Sequence, residues 1–294
     1  MGGTLLVVGT GTMGRGIAQV AAQSGFVARL CDVELEVARG AVRSIGESLS
    51  RRVAQGKASE AERSAVLDRL EAHADLATAA RDIDVVVEAV PENMELKVNV
   101  LRAVRDAAPS HAIVATNTSS LSVTELGQRL GCGERTIGMH FFNPPPAMPL
   151  IELVRGLHTT TATVERAEAI ARDLGKTTIL VSDTPGFATS RLGVAIGAEA
   201  IRMLEAGVGA VVDIDRAMEL GYRHPMGPLK LGDLVGLDVR LAILEHLHRE
   251  IGEQFRPPQL LRQMVRAGWL GKKSGLGFYD WTSGEPVARS FPPR

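Results

Sequence analysis

The chain has 294 residues, 45% hydrophobic and 23% charged, which is enough apolar material for two domains with proper cores. Its net charge of −1 gives no long-range pull toward nucleic acid or an anionic membrane, and neither partner is expected. Two cysteines, Cys31 and Cys132, without CxxC or a Cys/His cluster at zinc spacing, point to a reducing compartment and no metal; with no apolar run of membrane-spanning length and no signal-peptide pattern in MGGTLLVVGTGTMG, a cytoplasmic location is expected.

Short β-branched runs alternate with longer amphipathic ones through the first half of the chain, the pattern of a doubly wound sheet. Strands are predicted over 4–8, 27–30, 84–88, 112–116, 136–142, 150–154 and 177–181. Helices are predicted over 14–24, 34–52, 60–72, 92–107 and 163–174, the last with Thr163 as its N-cap. The character changes at Ser182-Asp-Thr-Pro-Gly186, after which no strand is expected and helices are predicted over 187–205, 212–220, 229–254 and 258–267. The division predicted is therefore an α/β domain over 1–184 and an all-α domain over 185–294. Residues 234–247 carry apolar side chains on more than one face, which suits the core of the second domain or an interface between two copies of the chain.

Thr4-Leu-Leu-Val-Val-Gly9-Thr-Gly11-Thr12-Met13-Gly14 sets GxGxxG directly between a buried-strand pattern and a helix. Gly9 allows the tight turn, Gly11 lets backbone approach a pyrophosphate, and Gly14 lets helix and strand pack closely. Thr12 and Met13 open the helix, whose free N–H groups and positive dipole end suit phosphates. The second strand ends in Asp32, where a carboxylate can take ribose hydroxyls and repel a 2′-phosphate, so NAD is the expected cofactor rather than NADP.

His140-Phe-Phe-Asn-Pro-Pro-Pro-Ala-Met-Pro-Leu-Ile-Glu152-Leu-Val154 poses a different problem. A lone carboxylate buried in an apolar strand costs several kcal/mol unless it is paired. Either Glu152 faces water, or a partner makes its charge tolerable. Two adjacent strands joined by the proline-stiffened loop can bring it within reach of His140.

Together these residues resemble the L-3-hydroxyacyl-CoA dehydrogenase family, which includes the 3-hydroxybutyryl-CoA dehydrogenases. The matching stretches are VVGTGTMGRGIAQVAAQSG, VVVEAVPENMELK, ATNTSSLSVTEL, GMHFFNPPPAMPLIELV, SDTPGF and GKKSGLGFYDW. The resemblance implies an α/β Rossmann-type N-terminal domain followed by an all-α C-terminal domain that dimerises. It also implies NAD-dependent oxidation of a 3-hydroxyacyl-CoA, with a role in fatty acid metabolism. By position, the catalytic histidine falls on His140, its orienting glutamate on Glu152, and the serine contacting the reacting oxygen on Ser119. Glu92 and Lys97 fall at the cofactor, as does Asn117 in the same NTSS segment as Ser119.

Ser48 and Lys57 resemble part of the helical hairpin that meets the nucleotide end of CoA, and Asn143 is either a substrate donor or an organiser of the proline turn. The segment Pro185-Gly-Phe-Ala-Thr-Ser190-Arg191 departs from the family pattern, because Ser190 stands where an asparagine usually helps to hold the substrate. That departure keeps open a CoA-free hydroxy acid, such as a sugar acid, as substrate. A non-catalytic NAD-binding protein is the third possibility, and an intact Ser119–His140–Glu152 set argues against it.

Overall fold

The structure is a computed structural model that describes residues 2–291. It separates into two compact units, which meet in sequence between Thr184 and Pro185.

The first unit is built on an eight-stranded sheet: β1 (Thr4–Val8), β2 (Val27–Cys31), β3 (Leu70–His73), β4 (Val85–Glu88), β5 (Ile113–Thr116), β6 (Thr136–Phe141), β7 (Leu150–Arg155) and β8 (Thr177–Ser182). The strand order is β3-β2-β1-β4-β5-β6-β7-β8, and every pairing is parallel except the antiparallel β6–β7 pair. This is a Rossmann-type sheet whose order reverses between β1 and β4, opening a crevice at the carboxyl ends of those strands. The helices are α1 (Thr12–Gln23), α2 (Leu35–Ala54), α3 (Glu60–Leu67), α4 (Leu76–Ala79), α5 (Met94–Ala107), α6 (Val123–Leu130) and α7 (Thr161–Asp173). Two apolar clusters pack helices onto the sheet, one including Leu5, Ile17, Leu30 and Ile45, the other Leu6, Val86, Leu101 and Leu126. Apart from Thr4, the central strands are buried throughout, which is why they read as apolar runs.

Two predicted elements of this unit need correction. The helix expected over 60–72 stops at Leu67, and Leu70–His73 turns back to pair with β2 as an edge strand. Leu-Glu-Ala-His has no β-branched residue, so its strand conformation comes from pairing and not from propensity. The helix expected to be capped by Thr163 is capped by Thr160, whose hydroxyl accepts from the Thr163 N–H at 3.3 Å.

The second unit comprises α8 (Thr189–Glu205), α9 (Val211–Arg216), a π-helical turn at Ala217–Gly221, α10 (Pro228–Val235), α11 (Leu237–Glu250) and α12 (Gln259–Arg266). It ends in a small antiparallel pair, β9 (Tyr279–Asp280) with β10 (Val287–Ala288), where no strand was expected. The helix predicted over 229–254 is two helices, because the chain passes through a positive φ of 106° at Gly236. Leu237, Leu244 and Leu247 join the core with Val194, Ile201, Leu261 and Phe278. Leu234, Val235 and Val239 lie on the exposed side. Two buried carboxylates pin the C-terminal segment. Asp233 accepts from the Phe278 and Tyr279 N–H groups and from Trp281 Nε1, and Asp215 accepts from the Tyr279 hydroxyl.

Candidate active site

The glycine loop crosses from β1 into α1 at the point where the strand order reverses. Gly9 has φ 89°, and a methyl group on Gly14 would lie 1.8 Å from the Gly9 carbonyl oxygen, so neither position accepts a side chain. Gly9, Gly11, Thr12, Met13 and Asp32 line a cavity of about 690 Å³ together with Val90 and Pro91, and around Gly11 there is open space where a Cβ would stand. This cradle, with the N-terminus of α1 beside it, fits a dinucleotide.

Asp32 is set at the edge of the cavity. Its Oδ2 accepts from the Thr10 N–H at 2.7 Å and the Thr10 hydroxyl at 2.6 Å, and its Oδ1 accepts from the Val33 N–H at 2.9 Å. Partial burial alone would raise its pKa, but the Thr10 and Val33 hydrogen bonds outweigh that and hold it below the usual carboxylate range. Asp32 is therefore ionised at neutral pH.

At the other side of the sheet, β6 and β7 place His140 directly opposite Glu152 in the antiparallel register. His140 Nδ1 and Glu152 Oε2 are 3.0 Å apart. Glu152 is 0% exposed and His140 9%, so the pair is shielded from bulk water. A carboxylate only accepts, so with a proton on Nδ1 it is Nε2 that keeps a free lone pair. The Phe142 ring lies 4.7 Å from the imidazole, centroid to centroid.

Ser119 follows β5, on the same carboxyl edge as His140, because β5 and β6 are parallel and Thr116 pairs with Gly138. Asn117 ties the two strand ends together, its side-chain oxygen accepting from the Phe141 N–H at 2.8 Å.

The model of the 3-hydroxyacyl-CoA dehydrogenase NAD binding domain matches residues 4–184, and that of the family's C-terminal domain matches 186–281. The chain belongs to the 3-hydroxyacyl-CoA dehydrogenase family. It is 44% identical over 278 residues to a probable 3-hydroxybutyryl-CoA dehydrogenase of Bacillus subtilis, covering 94% of this chain and 96% of that one. A 3-hydroxybutyryl-CoA dehydrogenase of Bradyrhizobium diazoefficiens is 41% identical over 282 residues, 96% of each chain. The crystal structure of (S)-3-hydroxybutyryl-CoA dehydrogenase from Ralstonia eutropha superposes with a TM-score of 0.91 at 39% identity, covering 96% of this chain and all of that one. The protein is an NAD-dependent 3-hydroxyacyl-CoA dehydrogenase.

The other residues expected at the site from the sequence are distributed unevenly. Ser48 and Asn143 line one cavity of about 310 Å³, along with Arg15, Arg51 and Pro145. Lys57 is exposed on the loop after α2, outside that lining. Ser190 belongs to the second unit, in the first turn of α8, and is half-buried. Glu92 Oε1 accepts from the Thr118 hydroxyl (2.5 Å), the Ser119 N–H (3.1 Å) and the Ser120 hydroxyl (3.0 Å), while its Oε2 lies 3.1 Å from Lys97 Nζ.

One buried carboxylate went unnoticed in the sequence. Glu88, the last residue of β4, binds Lys97 Nζ through both oxygens at 2.8 and 3.0 Å. A carboxylate closing the run Val85-Val-Val-Glu88 was a signal of the same kind as Glu152, and it called for the same search for a cation.

Proposed function

We propose that this dehydrogenase oxidises the secondary alcohol of a short L-3-hydroxyacyl-CoA to the 3-oxoacyl-CoA, with His140 as general base. The observation that carries the reading is the His140–Glu152 pair at 3.0 Å, its acid wholly buried. His140 Nε2 takes the hydroxyl proton of the substrate. The imidazolium that results lies against the Glu152 carboxylate, which lowers the energy of that state and fixes the ring tautomer. The Ser119 hydroxyl, which has no hydrogen-bond partner among the described residues, donates to the substrate oxygen as it becomes a carbonyl. NAD, when bound, supplies the hydride acceptor; Gly9, Gly11, Thr12, Met13 and Gly14 hold its phosphates and Asp32 its adenosine ribose. Glu92, Lys97 and Asn117 build the wall at its nicotinamide end.

The cavity shared by Ser48 and Asn143 suits the pantetheine and phosphate part of CoA, with Arg15 and Arg51 as cations and Lys57 farther out. Residues 1–184 form the NAD domain, and residues 185–294 carry Ser190 and a surface for a second copy. The exposed Leu192, Leu231, Leu234 and Val239 support a homodimer through this region. No helix among the described residues is long and apolar enough to cross a membrane. A cytoplasmic place in fatty acid metabolism is part of the same proposal.

The test is NADH formation from 3-hydroxybutyryl-CoA, free 3-hydroxybutyrate and gulonate under identical conditions. Turnover of the thioester in strong preference to both free acids is expected. Preference for either free acid would move the substrate outside the acyl-CoA class.

A further inference from the structure

Glu88 and Lys97 form the most deeply buried ion pair among the described residues: Glu88 is 0% exposed and Lys97 1%. Such a pair is weak evidence of stabilisation, because apolar side chains of similar volume usually hold a fold at least as well. Its location suggests a different use. Glu88 is in register with Val8 of β1, immediately before Gly9, at the crevice where ligands gather in this fold.

The contacts run in one direction, from the strand to the catalytic turn. Glu88 Oε1 accepts from the Val90 N–H at 2.6 Å and Oε2 from the Thr116 hydroxyl at 2.7 Å, in addition to its two contacts with Lys97. Lys97 Nζ also reaches the Val90 carbonyl at 3.3 Å and Glu92 at 3.1 Å. An ammonium has three hydrogens, and these partners use all of them. Glu92 in turn gathers the donors of Thr118, Ser119 and Ser120 onto one oxygen. Partial burial would raise its pKa, yet the Lys97 charge and these hydrogen bonds hold it low, so it stays an acceptor.

We propose that Glu88 is a positioning residue for the dehydrogenation. It anchors Lys97, Lys97 fixes Glu92, and Glu92 shapes the 118–120 turn so that the Ser119 hydroxyl faces the substrate oxygen. The proposal rests on the Ser119 role given above.

A double-mutant cycle separates the two. Glu88→Gln keeps the size of the side chain and removes its charge, and Ser119→Ala removes the hydroxyl that the network is said to aim. In the wild-type background Glu88→Gln is expected to lower kcat about tenfold, with the Kd of NADH changed less than about twofold; in the Ser119→Ala background the same change costs less than about twofold. Equal fold-losses in both backgrounds would make Glu88 a structural residue and overturn the relay. Wild-type kcat in Ser119→Ala itself would overturn the Ser119 role, and the relay with it. Should Glu88→Gln fail to fold, Thr116→Val removes only one donor from Glu88. It is expected to lower kcat about threefold in the wild-type background and to have no effect in Ser119→Ala, and equal losses there count against the relay in the same way.

Discussion

Replacing Glu152 with glutamine keeps the size of the side chain but removes the charge 3.0 Å from His140 Nδ1. The carboxylate is wholly buried, so water cannot substitute for it when the ring takes a proton. Hydrogen bonds to charged groups contribute about 1.5–3 kcal/mol and neutral ones about 0.5–1.5 kcal/mol. The difference of about 1–2 kcal/mol falls on the step that creates the imidazolium, and about 1.4 kcal/mol corresponds to tenfold in rate. A 5–30-fold fall in kcat is therefore expected, roughly speaking, at saturating NAD and substrate. Glu152 does not line the dinucleotide cavity, so NADH affinity should change little. Steady-state kcat and a fluorescence titration with NADH check the two halves. An unchanged kcat, or a parallel collapse of kcat and NADH affinity, would refute the reasoning.

Asp32→Ser should relax the preference for NAD over NADP, read as the ratio of the two kcat/KM values; an unchanged ratio would remove Asp32 from the ribose site. Because hydrogen bonds from Thr10 and Val33 depress the Asp32 pKa, its contribution is fully present above the ordinary carboxylate value and is lost as pH falls through the lower, folded one. NAD affinity should then hold level down to about pH 4 and weaken only below that, as a pH series of titrations with the acid-stable oxidised cofactor will show. Cys31 is buried, and burial, with Asp32 and Asp75 nearby, pushes its thiol up to about 11. Its thiolate fraction at pH 8 is then about 10⁻³, so a disulfide reagent should leave it unmodified in native protein and titrate it only in denaturant. Asp233→Ala strands three donors, the buried N–H groups of Phe278 and Tyr279 and the part-buried Nε1 of Trp281, and should destabilise the protein by about 2–4 kcal/mol in urea unfolding.

Much of this was legible in the residues, and the reasons differ from element to element. The central strands and the glycine loop could be read because burial on both faces forces unbroken apolar runs, and because the turn leaves no room for a Cβ at Gly9 or Gly14. His140 and Glu152 could be paired because a polar residue inside an apolar strand demands a partner, and the observed register sets them directly opposite. Leu70–His73 escaped because its residues favour helix and only the neighbouring β2 makes them a strand. The break at Gly236 escaped because the apolar pattern continues across it, although the axis of the helix does not. Glu88 was passed over because it ends its strand, where a carboxylate is ordinarily solvated, and only the three-dimensional placement of α5 brings Lys97 onto it.

The account depends most on His140 as the group that takes the substrate proton. Single-turnover NADH formation by His140→Gln, premixed with NAD and saturated with 3-hydroxybutyryl-CoA, isolates that step from binding and product release. General-base loss predicts a rate about 10²–10⁴-fold below wild type with substrate still bound. A single-turnover rate within about threefold of wild type would contradict it.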